Sequence, residues 1–326
     1  MSSPAERMMS RMREYFKRKS PSTTSDPEKS NFVRKESGAS SVSSSLLTRL
    51  SRKPSSLNGM NENGVVAAVG MTEDPNAQWR KHMEDGHVIL TNFRGSRKEA
   101  FFGVYDGHGG RAAVESVQKS LHKFFADELS SQAESVIPEQ AFAEAYRKTD
   151  LVLLENRCLY VGTTSVTCYV SLDENDVRHL HVANVGDARA VLCRDGKGLR
   201  LSYDHKASDD LEQKRVCDDG GQIVGRRVNG VLSVSRALGD HAMKKVVLGS
   251  PYTRHEVLTS EDPFLILACD GLWDVMSDDD ACTVVLETAA NSDGKELDVQ
   301  LASRVLVQLA LKRGSTDNVS VMVVLF

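Results

Sequence analysis

Eight short apolar runs, rich in β-branched residues and bounded by Gly, Asp, Asn or Pro, set the architecture open to this chain. They cover Gly64–Met71, His87–Thr91, Ala100–Tyr105, Thr163–Val170, His179–Val185, Ala188–Cys193, Pro263–Cys269 and Val319–Phe326. Runs of this length and composition read as strands. Leu172–Asp176 and Arg194–Gly198 are dense in Asp, Asn and Gly, so they predict tight turns in antiparallel hairpins. Helical patterns fill Arg111–Leu129, Pro138–Asn156, Asp209–Asp218, Asp278–Ala290 and Leu297–Arg313. The first of these spaces Val114, Val117, Leu121 and Phe124/Phe125 three and four apart, which gives it one buried stripe. Hairpins with long helices between them predict an α+β fold rather than alternating βαβ units.

The ends of these runs repeat one theme. Asp106 closes the third run and is followed by Gly107-His108-Gly109-Gly110. Glu84 and Asp85 precede the second, and Asp187 lies between His179–Val185 and Ala188–Cys193. Asp270, with Asp274 one turn on, ends the seventh, and Asp317 stands just before the last. A carboxylate at the end of an apolar run such as Leu265–Cys269 is costly to bury unless solvent, a cation or a hydrogen-bond network meets it. One such Asp is an ordinary turn former. Several, brought together by antiparallel sheets, would place negative charge in one cleft, and divalent cations are the simplest neutraliser. All-oxygen ligands without a His/Cys grouping point to Mg²⁺ or Mn²⁺ rather than Zn²⁺.

The net charge of −4 conceals a division. Residues 1–59 hold 12 Lys and Arg against 5 Asp and Glu, whereas the remainder has a net charge of −11. An acidic body argues against nucleic acid as a partner, and it requires local positive charge for any phosphorylated substrate. The first 59 residues include 16 serines and few large apolar side chains, a composition that predicts a disordered basic tail ahead of a domain spanning 60–326. Within that tail, Arg7–Lys19 places Met8, Met12, Tyr15 and Phe16 near one helical face among cations. That segment suits electrostatic contact with a membrane surface or a partner; a solvated basic tail is the plainer reading of the same residues. Arg34-Lys35-Glu36-Ser37 and Arg52-Lys53-Pro54-Ser55 have the form of basic-directed kinase sites, where phosphorylation would lower the tail's charge.

The six cysteines form no Cys-x-x-Cys pair, and Cys168, Cys193 and Cys269 sit inside strand-like runs. They read as small core residues in a reducing compartment. No apolar run reaches 18 residues, residue 2 is Ser, and the first residues lack a signal-peptide core, so the expectation is a cytoplasmic or nuclear protein. No heptad run suggests self-association, and a monomer is expected.

The pattern Arg80-x-x-Met83-Glu84-Asp85, Asp106-Gly107-His108-Gly109-Gly110, Gly162-Thr163-Thr164, Gly186-Asp187-Ala188-Arg189 and Asp204-His205-Lys206 resembles the metal-dependent protein serine/threonine phosphatases of type 2C. Gly220-Gly221, Ser235-Arg236-Ala237-Leu238-Gly239-Asp240, Asp270-Gly271-x-Trp273-Asp274 and Ser315-x-Asp317-Asn318 continue the match, in the family's order, across residues 64–326. The resemblance implies a sandwich of two antiparallel β-sheets flanked by helices on both outer faces, four layers αββα. It implies two metal ions, Mg²⁺ or Mn²⁺, with Asp106 bridging both, the Gly107 carbonyl binding one, and Asp270 and Asp317 as further ligands. Glu84 and Asp85 would hold metal-bound waters; Asp187, Asp274 and Asp270 would form a weaker third site. A hydroxide between the metals would attack the phosphorus of phosphoserine or phosphothreonine proteins. Arg80 would bind phosphate, and His108 would protonate the leaving oxygen.

Two departures stand out: Ala207 where Pro commonly follows Asp-His-Lys, and Ser165 where Ala is frequent. Both concern local structure. Ser235–Asp240 reads as architecture, with Arg236 and Asp240 as buried polar partners, and Asp204–Val228 as the flap with which the family chooses substrates. Two other phosphatase chemistries are excluded directly, since there is neither a Cys-x₅-Arg loop nor a Gly-Asp-x-His-Gly run. A catalytically inactive scaffold is the alternative from another class; such proteins lose metal ligands, whereas Asp106, Asp270 and Asp317 are all present.

Overall fold

The computed structural model describes residues 64–131, 137–290 and 297–326. The basic segment and the two kinase-like sites lie outside the described residues. The strands, in chain order, are β1 (Ala68–Asp74), β2 (Gly86–Leu90), β3 (Glu99–Tyr105), β4 (Gly107–His108), β5 (Gly162–Thr163), β6 (Ser165–Leu172), β7 (Arg178–Val185), β8 (Arg189–Arg194), β9 (Lys197–Arg200), β10 (Ile223–Val224), β11 (Arg227–Val228), β12 (Leu238–Gly239), β13 (Tyr252–Val257), β14 (Phe264–Ala268) and β15 (Val319–Leu325). The helices are α1 (Ala112–Ser130), α2 (Pro138–Glu155), α3 (Asp210–Asp218), α4 (Asp270–Trp273), α5 (Asp278–Ala290) and α6 (Val299–Lys312).

Two five-stranded antiparallel sheets form the centre, ordered β1-β15-β14-β8-β9 and β13-β7-β6-β3-β2. Strand alternation assigns each side chain a layer. In β3, Ala100, Phe102 and Val104 pack between the sheets with Val166 and Cys168 of β6 and Leu265 and Leu267 of β14. Phe101 and Tyr105 point the other way, onto Val114, Val117, Leu121 and Phe125 of α1 and Phe142 and Tyr146 of α2. On the far side, Phe264, Ile266 and the odd-numbered residues of β15 meet Val285 and Leu286 of α5 and Leu306 and Ala310 of α6. The layers are therefore α1/α2, sheet, sheet, α5/α6: the expected αββα sandwich. Phe125 and Phe142 stack at 4.0 Å between centroids and lock the first two helices together. Truncating a buried aromatic of this kind costs about 3–5 kcal/mol.

Local chemistry explains the boundaries. Pro138 opens α2, where its missing N–H costs nothing. The Asp209 carboxylate accepts from the amides of Leu211 and Glu212 and starts α3. Arg194 pairs with Lys197 across the Asp195-Gly196 turn, whose residues both have positive φ, and this joins β8 to β9 as the hairpin expected there. Cys158, Cys168, Cys193, Cys269 and Cys282 are buried, whereas Cys217 is exposed. No helix among the described residues is long and apolar enough to cross a membrane.

Register decides what meets at the end of the sandwich. Gly86 opposes Tyr105, Val104 opposes Val166, and Ser165 opposes Val185, so one end of this sheet collects the starts of β2 and β6 and the ends of β3 and β7. In the other sheet Ala268 opposes both Val321 and Arg189, which puts the end of β14 beside the starts of β15 and β8. Gly186-Asp187-Ala188 carries the chain from one sheet to the other at this same end.

Candidate active site

A cleft of about 200 Å³ opens where these strand ends converge, lined by Arg80, Glu84, Asp106, Gly107, His108, Asp187, Arg227, Ser233, Asp270, Asp317 and others. Eight of the ten residues singled out from the sequence face it. Asp85 and Asp274 do not line it, but adjoin it. Asp85 lies beneath, 2% exposed, and accepts a 2.7 Å bond from the Ser320 hydroxyl. Asp274, at the end of α4, is exposed and pairs at 2.6 Å with Lys206.

Each acidic residue is placed by backbone fixed nearby. The Asp106 carbonyl accepts from the Thr164 amide at 2.8 Å and the Thr163 hydroxyl at 3.1 Å, so the Gly162-Thr163-Thr164 segment anchors the end of β3. Gly107 is obligatory: a Cβ there would meet the Glu84 carbonyl at 2.5 Å. Asn318 ties the Glu84 loop to β15, accepting from the Glu84 amide at 2.9 Å and donating to the carbonyls of Pro75 and His82. Asp270 begins α4, a single helical turn that follows β14. Its carboxylate therefore projects from the start of α4.

The electrostatics are those of crowded acids. Burial and the charges of Asp270, Asp85, Asp187 and Asp317 hold the Asp106 carboxyl well above the usual carboxylate range. Burial first, then neighbouring aspartates, pushes Asp270 up to about 6 and Asp187 up to about 8. Asp85 is pushed up to about 7, chiefly by burial, against the Ser320 hydrogen bond. Two cations flank the cluster. Arg80 forms an ion pair with Asp317 and donates to the Thr316 carbonyl at 3.2 Å; Lys206 lies 3.7 Å from Asp187. The buried Oδ1 of Asp270 has no hydrogen-bond partner. An unpartnered carboxylate oxygen among acids that repel one another fits a divalent cation held by hard oxygen ligands. Asp85, Asp106 and Cys269 also bring ligand atoms within 4.8 Å of one another. Burial and the surrounding aspartates hold the Cys269 thiol protonated, which leaves the carboxylates as the better ligands.

His108 belongs to a different arrangement. β4 pairs with β5, and β5 with β12, in a small three-stranded sheet. Gly162 of β5 lies opposite both His108 and Gly239. Across it, His108 Nε2 and Asp240 Oδ2 approach to 2.7 Å. Asp240 is thus a partner of the candidate acid, a role the sequence reading missed when it treated Ser235–Asp240 as architecture alone. Arg227, beside the cleft on the β10–β11 hairpin, was also missed by name, although it falls within the segment expected to form the flap. Arg189 serves the framework, bonding to Asp204 and Asp278 and lying 5.0 Å over the Trp273 ring.

The protein phosphatase 2C family model matches residues 69–319. The chain belongs to the protein phosphatase 2C family. It is 41% identical over 260 residues to protein phosphatase 2C homolog 1 of Schizosaccharomyces pombe, covering 78% of this chain and 72% of the relative. It is equally 41% identical over 275 residues to the Saccharomyces cerevisiae protein of that name, covering 80% and 94%. Among solved structures, a Caenorhabditis elegans sex determining protein superposes with a TM-score of 0.72 at 27% identity, over 81% of this chain and 65% of that one. Serine-threonine phosphatase 2C from Toxoplasma gondii gives 0.67 at 23% identity, over 83% and 98%, a likeness of fold. As a protein phosphatase 2C, the chain is a metal-dependent phosphoprotein phosphatase, and the acidic cleft at the end of its sandwich is the candidate site for that metal.

Proposed function

We propose that this protein phosphatase 2C removes phosphate from serine and threonine side chains of proteins with two divalent ions, Mg²⁺ or Mn²⁺, held chiefly by Asp106, the Gly107 carbonyl, Asp270 and Asp317. The observation that carries this reading is the convergence of those residues on one cleft, with the Asp270 Oδ1 left without a partner. When bound, the ions would supply a nucleophilic water at neutral pH and offset phosphate charge. Glu84 and Asp85 would orient water around them, and Asp187 with Asp270 and Asp274 would hold a weaker third ion. Arg80, whose guanidinium already reaches a cleft oxyanion in Asp317, would exchange that contact for phosphoryl oxygens. His108 would donate a proton to the departing seryl or threonyl oxygen, and Asp240 would keep its ring in place.

The test is phosphate release from a phosphoserine peptide with Mg²⁺ or Mn²⁺, before and after EDTA. Metal-dependent release is expected; inactivity with both metals would favour a scaffold that binds partners without turnover. We further place the enzyme in the cytoplasm or nucleus as a monomer, with the basic first 59 residues as an electrostatic anchor. Deleting them should change location but leave peptide turnover in solution intact, and unchanged location would reject the anchor.

A further inference from the structure

A second cluster of metal-ligating side chains lies on the outer face of the β13-β7-β6-β3-β2 sheet. His179 and His181 are two residues apart on β7, so they share a face, and His255 of β13 lies opposite His181 in register. The same face carries Ala183 and Val185 into the helical layer, which turns these imidazoles toward the start of α2. There Glu139, in the first turn of that helix, reaches His181 Nδ1 at 2.7 Å. The His181 and His255 rings lie nearly parallel at 4.3 Å, so the exposed His255 ring must turn to aim a nitrogen at an ion shared with His181, and His179 Nδ1 lies 3.0 Å from His255 Nε2. Glu139, His181 and His255 each bring a ligand atom within 4.8 Å of the others. Burial pushes the His181 imidazole down, and His255 and His179 add to this against the pull of Glu139; the neutral ring is the form that binds metal.

We propose that Glu139, His181 and His255, with His179 beside them as a fourth donor, form a binding site for a transition-metal ion of the Zn²⁺ class. Two or three imidazoles with one carboxylate make a borderline nitrogen-rich set, which favours Zn²⁺, Co²⁺ or Cu²⁺ over Mg²⁺. That is the opposite preference from the acidic cleft. The two sites are also apart: His181 lies four strand residues, about 13 Å, before the end of β7 at Val185, and Asp187 follows beyond the Gly186 turn. An ion here ties three elements otherwise joined only by packing and hydrogen bonds, namely edge strand β13, its neighbour β7 and the first turn of α2. It would stabilise that edge without touching the reacting groups. His255 is exposed, so an ion has a route in from solvent.

The experiment uses the full chain in excess Mg²⁺, titrated with Co²⁺ and followed by its visible d–d absorption and by equilibrium dialysis. About one Co²⁺ per chain should bind with bands of a nitrogen-containing site, Zn²⁺ should displace it, and the melting temperature should rise. His255→Ala removes a ligand from an exposed position outside the core; it should weaken Co²⁺ binding about tenfold or more and leave Mg²⁺-dependent phosphate release unchanged. Glu139→Gln should weaken it likewise. Co²⁺ binding that survives His255→Ala but is lost in Asp270→Asn would place the ion in the acidic cleft and overturn the proposal, as would absence of Co²⁺ binding in excess Mg²⁺.

Discussion

His108 Nε2 sits 2.7 Å from Asp240 Oδ2, and Asp240 is 1% exposed. The contact joins residues 132 positions apart and fixes the imidazole at its Nε2. A carboxylate in that position accepts the Nε2 hydrogen, so a proton delivered to the leaving oxygen would come from Nδ1–H of the doubly protonated ring. Asp240→Ala should therefore lower kcat on a phosphoserine peptide, approaching the loss in His108→Ala, about 10²–10⁴-fold. Metal affinity should be nearly intact in both. Aryl phosphates, whose leaving groups need no proton, should be hydrolysed almost normally by both variants. Equal losses on the two substrate classes would remove the acid role.

Gly162 lies between the two partners. A Cβ at this position would meet Asp240 Oδ2 at 2.1 Å and His108 Nε2 at 2.7 Å. The obstruction is to side chains alone, so Gly162→Ala should fold but separate the pair. Its kcat should fall toward that of Asp240→Ala, and combining the two substitutions should cost little more than either, since both break one interaction. Full additivity in the double variant would show that Gly162 acts elsewhere.

Apolar patterning disclosed the sandwich because both faces of its central strands are buried. Leu265–Cys269 and Val319–Leu325 contribute alternately to two cores and so read as unbroken apolar runs. The acidic residues closing those runs were legible for the same reason: a carboxylate there stands out against its neighbours. Edge strand β13 was not legible, because Thr253, Arg254, His255 and Glu256 satisfy a half-exposed strand that has no apolar signature. The two-residue strands β4, β5 and β12 are too short to pattern, and with them went the His108–Asp240 contact. Asp274 could be named from its motif, but its pairing with Lys206 is a tertiary fact. The histidine cluster was half visible: the spacing of His179 and His181 marks one face, while His255 lay on the strand that went unread.

Metal removal should reveal how the acidic cleft strains the fold. Asp85, Asp106, Asp187 and Asp270 all repel ionisation of their neighbours. Chelation at pH 8 should lower the melting temperature, and Mg²⁺ or Mn²⁺ should restore it. Asp270→Asn removes one repelled charge together with a ligand. Its metal-free form should melt higher than the metal-free parent, respond weakly to added ions and show no phosphatase activity. A normal thermal response to Mg²⁺ in this variant would contradict the ligand assignment.

Glu212 supplies the pH-dependent counterpart in the segment beside the cleft. Burial alone would raise its pKa, but hydrogen bonds from Arg236, Arg215 and Ser235 prevail and hold it at about 2, against an ordinary 4.5. Its oxygens receive Arg236 Nη2 at 2.7 Å, Arg215 Nη2 at 2.9 Å and the Ser235 hydroxyl at 2.6 Å, tying α3 to the segment that leads through β12 to Asp240. A carboxyl depressed on folding stabilises fully above its unfolded pKa and loses that contribution as pH falls through its folded pKa. For a shift of this size the contribution is about 3 kcal/mol at pH 7, fading between about pH 4.5 and 2. Glu212→Gln should be destabilised by roughly that amount at pH 7 in urea unfolding, and the gap from the parent should narrow steadily on acidification below pH 4.5. A gap independent of pH across that window would mean that Glu212 contributes through packing and not through its charge.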